Sequence, residues 1–188
     1  LEEKTERRIP MNFMEKLFGK EKRSQQQNGS TVAGKSAGSK NEIGSPMEGE
    51  LIELKDVPDE AFAQGILGDG VAIRPTKGEV SAPADGTVDT LFDTCHAITF
   101  LCDNGAELLL HVGLDTVQLK GKHFQSQVAS GDRVKKGQLL LSVDLEAVKR
   151  EGYDTVTPVI VTNADEWPVE KAAPGKVKVG DVIMKGSR

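Results

Sequence analysis

The sequence predicts an all-β domain: an antiparallel β-sandwich or barrel built from repeated hairpin units, with a short helix and a flexible N-terminal tail. Three observations predict it. From Ser45 onward, short β-prone runs are cut by Gly, Pro and Asp roughly every ten residues, the punctuation of a sandwich or barrel. Pro46-Met47-Glu48-Gly49-Glu50-Leu51-Ile52-Glu53-Leu54 is matched by Pro83-Ala84-Asp85-Gly86-Thr87-Val88-Asp89-Thr90-Leu91 in its Pro, its Gly and its apolar positions, with a weaker echo at Pro174-Gly175-Lys176-Val177. Gly68-Asp69, Gly131-Asp132 and Gly180-Asp181 each form a turn signal feeding a β-prone run.

The 188 residues suit one core-forming domain with a tail. Residues 1–23 are charged, and Met11 reads as an alternative start to Leu1. Within them Met11–Lys20 carries Phe13 with Leu17 and Met14 with Phe18 at i,i+4 spacing, beside Lys16, Lys20, Lys22 and Arg23. That is a short basic amphipathic helix, able to lie on an anionic membrane surface or to dock on its own domain. Residues 24–44 are rich in Gln, Ser, Gly and Lys, too polar to fold, and read as a disordered linker. Residues 45–188 form the domain. Helical pattern there is confined to Val143–Glu151, with one further turn around Asp59–Gly65.

Charge is distributed unevenly. Residues 1–40 hold nine basic and five acidic side chains; the remainder holds fifteen and twenty-four. An acidic domain argues against a nucleic-acid partner and suits a basic protein surface. Two cysteines, Cys95 and Cys102, make no disulfide framework, and no apolar run approaches the ~20 residues of a membrane span. A cytoplasmic protein is the plain reading.

The chemistry concentrates between Thr94 and Val117. Two β-rich runs flank Asn104-Gly105, a strong hairpin signal. A two-residue loop would set Ile98 opposite His111; pivoting on Asn104 alone would set His96 opposite Val112 instead. Either way two of the three histidines converge on neighbouring strands, with Asp115 and the hydroxyls of Thr94 and Thr116 nearby. His111 ends a run, Leu108-Leu109-Leu110, that is apolar on both faces and so buried on both. Gly113 lies two residues on, which predicts a shallow depression with His111 at its floor. There is no phosphate-cradling Gly-rich loop and no Gly-x-Ser-x-Gly elbow. Three readings fit the pair equally: an imidazole that carries a phosphoryl group, a zinc site of His96, His111 and Asp115, or two structural histidines.

At these residues a resemblance enters. Gly105-x-x-Leu108-Leu109-Leu110-His111-Val112-Gly113-Leu114-Asp115-Thr116-Val117 resembles the phosphorylation signature of glucose-type enzyme IIA of the bacterial phosphoenolpyruvate-dependent sugar phosphotransferase system. Phe92-Asp93-Thr94-Cys95-His96-Ala97-Ile98 resembles that family's second-histidine segment, and further likeness runs in order from about Gly44 to Lys185. The resemblance implies a sandwich of six-stranded sheets. It implies that His111 is phosphorylated, that His96 hydrogen-bonds the phosphoryl group, that Thr94 orients His96 and that Asp115 lies beside the site. Val57, Phe62, Ile66, Phe92, Ile98 and Leu109 would form an apolar rim on which partners dock. The implied donor is HPr and the implied acceptor a cysteine of a sugar-permease IIB domain. Enteric relatives also regulate non-PTS permeases, glycerol kinase and adenylate cyclase, and carry an N-terminal lipid-binding helix. No cofactor is implied, though a zinc ion could be shared by His96 and His111 with a partner. One departure is Cys95, where relatives carry Asn or Lys. A zinc metallohydrolase on a related β fold is the alternative, but the His-x-His ligand pair of such enzymes is missing. A biotinyl- or lipoyl-carrier reading lacks its tip lysine.

Overall fold

The structure, a computed structural model, describes residues 41–187; the predicted amphipathic stretch Met11–Lys20 and the linker up to residue 40 lie outside them. In chain order the elements are β1 (Glu42–Gly44), β2 (Gly49–Glu53), α1 (Glu60–Ala63), β3 (Asp69–Pro75), β4 (Glu79–Ser81), β5 (Gly86–Leu91), β6 (Ala97–Cys102) and β7 (Glu107–His111). They continue with β8 (Phe124–Ser126), β9 (Arg133–Val134), β10 (Leu139–Val143), α2 (Leu145–Arg150), β11 (Thr157–Val161), β12 (Val169–Lys171), β13 (Gly175–Val177) and β14 (Val182–Gly186). Both helices start at an Asp whose carboxylate accepts a backbone N–H of the first turn, Asp59 from Ala61 and Asp144 from Ala147.

All strand pairs are antiparallel. One eight-stranded sheet runs β13-β2-β3-β11-β7-β6-β5-β9, and the layer facing it consists of two three-stranded sheets, β1-β14-β12 and β4-β10-β8. The six-stranded sheets implied by the resemblance therefore do not form as such. Six strands do face the large sheet, but they divide three and three because no ladder joins the two groups. The main core fills the space between the layers, with Leu51, Ile73, Val88, Phe100, Leu108, Leu110 and Val159 meeting Ile43, Val80, Leu140, Leu141 and Met184.

The repeat read from the sequence is a structural duplication. Gly49 opens β2 and Gly86 opens β5. A methyl group on either would lie 2.1 Å from the Arg74 carbonyl oxygen or 2.2 Å from that of Leu101, so only glycine lets the neighbouring strand approach. The residue before each repeat proline accepts a hydrogen bond from a remote glycine: Ser45 O from Gly180 N–H at 2.9 Å, and Ala82 O from Gly137 N–H at 2.8 Å.

One expectation shifts. Glu42–Gly44, read as linker, pairs with β14, and Ile43 is wholly buried, so ordered structure begins before Ser45. A single apolar residue in a polar stretch carries little sequence signal. Of the two hairpin registers the sequence left open, the structure takes the one that pivots on Asn104: Ala97 pairs with His111, Ile98 with Leu110, and the loop is Asp103-Asn104-Gly105. Gly105 takes the left-handed position at φ 93°, and the Cys102 N–H donates to Ala106 O. The tip is held from outside as well. The Trp167 indole N–H donates to Asn104 O, the Asn163 amide to Gly105 O, and Arg133 clamps the Asp103 carboxylate bidentately.

The other face of the eight-stranded sheet carries a second, smaller cluster: Ile52, Ala72, Ala97, Leu109 and Ile160, covered by Leu54, Val57, Phe62 and Leu67. The candidate site lies on this face.

Candidate functional site

His111 is the last residue of β7. Period-two alternation sends Leu108 and Leu110 into the main core and leaves Leu109 in the smaller cluster, the face that His111 shares. His96 precedes β6, and its carbonyl accepts the Val112 N–H at 2.7 Å, extending the ladder by one bond beyond the strand ends. The chain enters through a turn closed by Cys95 N–H to Phe92 O, with Cys95 in the left-handed region at φ 53°. That break in extended geometry re-aims His96. The two imidazole centroids lie 5.0 Å apart with the rings at 81°.

The hydrogen bonds distinguish the two rings. His111 Nδ1 lies 2.7 Å from Gly113 O. A carbonyl can only accept, so Nδ1 carries the proton, and in the neutral ring the lone pair is on Nε2. His96 Nδ1 lies 2.5 Å from Thr94 Oγ1, which ties its Nδ1 in turn. Gly113 is left-handed at φ 79°, and a methyl group there would sit 2.5 Å from Thr116 Cγ2 and 2.8 Å from Asp154 O. Thr116 is buried, and its hydroxyl donates to Val112 O. The glycine seen in the sequence thus matters through its carbonyl and its backbone conformation.

Both rings are buried more deeply than the predicted shallow depression implies. His96 is 0 % exposed and His111 1 %. The Phe62 ring packs at 5.2 Å from His111 with a tilt of 57°, and Phe92 at 5.8 Å from His96 with a tilt of 56°. The predicted rim is not a continuous exposed patch either. Val57, Phe62, Ile98 and Leu109 are buried, Phe92 is half-buried, and Ile66 alone of the six is exposed, at 45 %. Ile98 packs in the main core, on the opposite side of the sheet from the His111 face, because strand alternation sends it there.

Asp115 is exposed and left-handed at φ 56°, and its side chain caps none of the N–H groups of the 3-10 turn that follows, Thr116–Leu119. Among the described residues no three His, Cys, Asp or Glu side chains are grouped to hold a metal ion. A zinc site of His96, His111 and Asp115 therefore lacks its third ligand, and zinc on the two imidazoles would need donors from another protein. Cys102 is buried, which pushes its thiol up to about 12 and leaves it inert at neutral pH. Sequence reasoning missed the Gly113 carbonyl and Asp154. The first is a backbone atom, and the second comes from a distant loop with no recognisable motif.

The site is a pair of buried imidazoles at one end of two neighbouring strands of an antiparallel sandwich, each with its Nδ1 in a hydrogen bond. Comparison with known proteins makes this specific. Residues 41–167 match the family described as phosphoenolpyruvate-dependent sugar phosphotransferase system, EIIA 1. The glucose-specific EIIA component of Halalkalibacterium halodurans is 42% identical over 92% of this chain and 96% of its own length. The beta-glucoside-specific EIIBCA component of Bacillus subtilis is 46% identical over 78% of this chain, which spans only 24% of that longer relative. The glucose permease IIA from Mycoplasma capricolum superposes with a TM-score of 0.72 at 39% identity, covering 76% of this chain and 93% of that one. The chain belongs to the EIIA 1 family of the sugar phosphotransferase system.

Proposed function

We propose that His111 carries a phosphoryl group on Nε2, taken from the phosphohistidine of HPr and passed to a cysteine thiolate of a sugar-permease IIB domain. The observation that carries this is the His111 Nδ1–H to Gly113 O hydrogen bond, which makes Nε2 the nucleophile. In the first transfer the Nε2 lone pair forms a new N–P bond in line as the donor's N–P bond breaks and its electron pair returns to the donor ring. In the second, the thiolate forms an S–P bond and the pair returns to His111 Nε2. Docking of the two proteins supplies the alignment.

His96 has the complementary task. With Thr94 donating its hydroxyl proton to Nδ1, the His96 ring keeps its proton on Nε2 and offers that N–H to a phosphoryl oxygen. Asp115 adds negative charge near the site, its side chain capping none of the N–H groups of the 3-10 turn. The relative from Bacillus subtilis joins B, C and A components in its name, which supports a IIB domain as acceptor. HPr follows from the family, and both partners place the work on the cytoplasmic side.

The test mixes the protein with phosphoenolpyruvate, enzyme I and HPr. Acid-labile, base-stable phosphate appears on the wild type. His111→Ala takes up none, and His96→Ala takes it up but hands it on at least tenfold more slowly. Phosphate uptake by His111→Ala would overturn the assignment.

A further inference from the structure

The structure assigns Asp154 as a positioning residue for His111. The Leu114 N–H donates to Asp154 O at 2.9 Å. That N–H and the Gly113 carbonyl belong to one trans peptide plane and point in opposite directions. Anchoring one end on Asp154 therefore aims the other at His111 Nδ1, where the carbonyl sits at 2.7 Å. Asp154 O is itself held close, since a methyl group on Gly113 would lie 2.8 Å from it. The Asp154 carboxylate locks the loop by accepting the Val156 N–H at 2.8 Å, an Asx turn leading into β11. The loop before β11 and the hairpin of β7 thus share the peptide that fixes the His111 tautomer. This rests on His111 acting through Nε2.

The test compares Asp154→Ala with Asp154→Asn, whose side-chain oxygen can still accept from Val156. In Asp154→Ala, nitrogen-15 NMR shows His111 losing its Nδ1–H preference and the Leu114 amide exchanging faster. Phosphoryl uptake from phospho-HPr slows about threefold to tenfold, with the KM for the donor unchanged. Asp154→Asn restores all three. Unchanged His111 nitrogen shifts in Asp154→Ala would overturn the proposal, as would a failure of Asp154→Asn to restore them. The NMR arm reads the clasp even if His111 takes no phosphate.

A second observation stands independently: His111 is buried, yet an imidazole that exchanges groups with other proteins must be reached. We infer that α1 is a gate and Phe62 its bolt. Phe62 is 1 % exposed and packs its ring at a tilt against His111. Its one-turn helix closes its hydrogen bonds within the segment: Ala61 to the Asp59 carboxylate, Ala63 to Asp59 O, Gln64 to Glu60 O and Gly65 to Phe62 O. The end of α1, Ala63 to Gly65, borders an open groove of about 560 Å³ rather than packed core. The segment can swing as a unit while these bonds persist.

Diethyl pyrocarbonate, which acylates neutral imidazole, reports access without any phosphoryl chemistry. His111 of the wild type reacts at least tenfold more slowly than in the urea-unfolded chain. Phe62→Ala raises its rate at least tenfold, and Asp59→Ala, which keeps the ring and removes only the cap, about fivefold. His123, on the loop before β8, keeps its rate in both variants. Equal labelling of His111 in folded and unfolded protein, or no change in Asp59→Ala, would overturn the gate.

Discussion

Three residues near the site adopt the left-handed backbone, Cys95, Gly113 and Asp115, and the first two bear on stability in opposite ways. A side chain in that region costs roughly 1 kcal/mol, less for Asn, whose short amide tolerates it. Cys95→Asn is therefore expected to raise stability by about 0.5–1 kcal/mol. Its urea midpoint would move up while the slope stays fixed; a fall would mean the thiol packs better than its backbone suggests. Gly113 is the opposite case. Alanine there meets both the backbone penalty and the Asp154 carbonyl at 2.8 Å. Gly113→Ala should cost about 2 kcal/mol or more and also displace the carbonyl that holds His111. Urea unfolding together with phosphate uptake checks it, and both must decline.

The β6–β7 hairpin links the site to the rest of the sheet. Arg133 of β9 grips Asp103 at the hairpin tip with two hydrogen bonds, and this holds the Asp103 carboxyl below its ordinary range. A lowered folded pKa means the ionised form is bound more tightly in the native state. The stabilisation is therefore complete above the unfolded value near pH 4 and disappears as pH falls through the lower folded value. Asp103→Asn should be less stable than wild type at pH 7 and indistinguishable from it once wild-type Asp103 is protonated. Because the pair is half exposed, the difference at pH 7 should be small and shrink with added salt. Denaturation midpoints across pH give the comparison; a gap that widens in acid would refute the ion pair as its cause. At the same scale, Phe62 in α1 is worth about 1.5–3 kcal/mol of burial, enough to keep α1 closed over His111 most of the time.

For the molecule as a whole, the duplication decides where the site falls. β11 and β7 are the central strands of the eight-stranded sheet, flanked by the two repeat hairpins β2-β3 and β6-β5. His111 sits at the end of one central strand and Asp154 just before the other. Much of this was legible in the chain: repeated Pro-x-x-Gly units, Gly-Asp turns, the two short helices and the convergence of His96 and His111. What was not legible had physical causes. The hairpin register stayed open between two choices, and the tip contacts that accompany the observed one come from Trp167 and Arg133, far away in sequence. The depth of the histidines depends on the helix that carries Phe62, and no local pattern tells a residue that lines a surface rim from one that covers a site. The acidic excess of the domain, fifteen basic against twenty-four acidic side chains beyond residue 40, suits a basic partner surface. Raising ionic strength should accordingly raise the KM for phospho-HPr more than it changes the maximal rate; an unchanged KM would argue for an apolar contact.

With the His111 proton held on Nδ1 by the Gly113 carbonyl, Nε2 is the atom proposed to carry the group. Phosphorus-31 and nitrogen-15 NMR of the protein, phosphorylated through HPr, reads this directly. A single phosphohistidine at His111 is expected, with phosphorus bonded to Nε2 and Nδ1 still protonated; phosphorus on Nδ1, or on His96, would overturn the assignment.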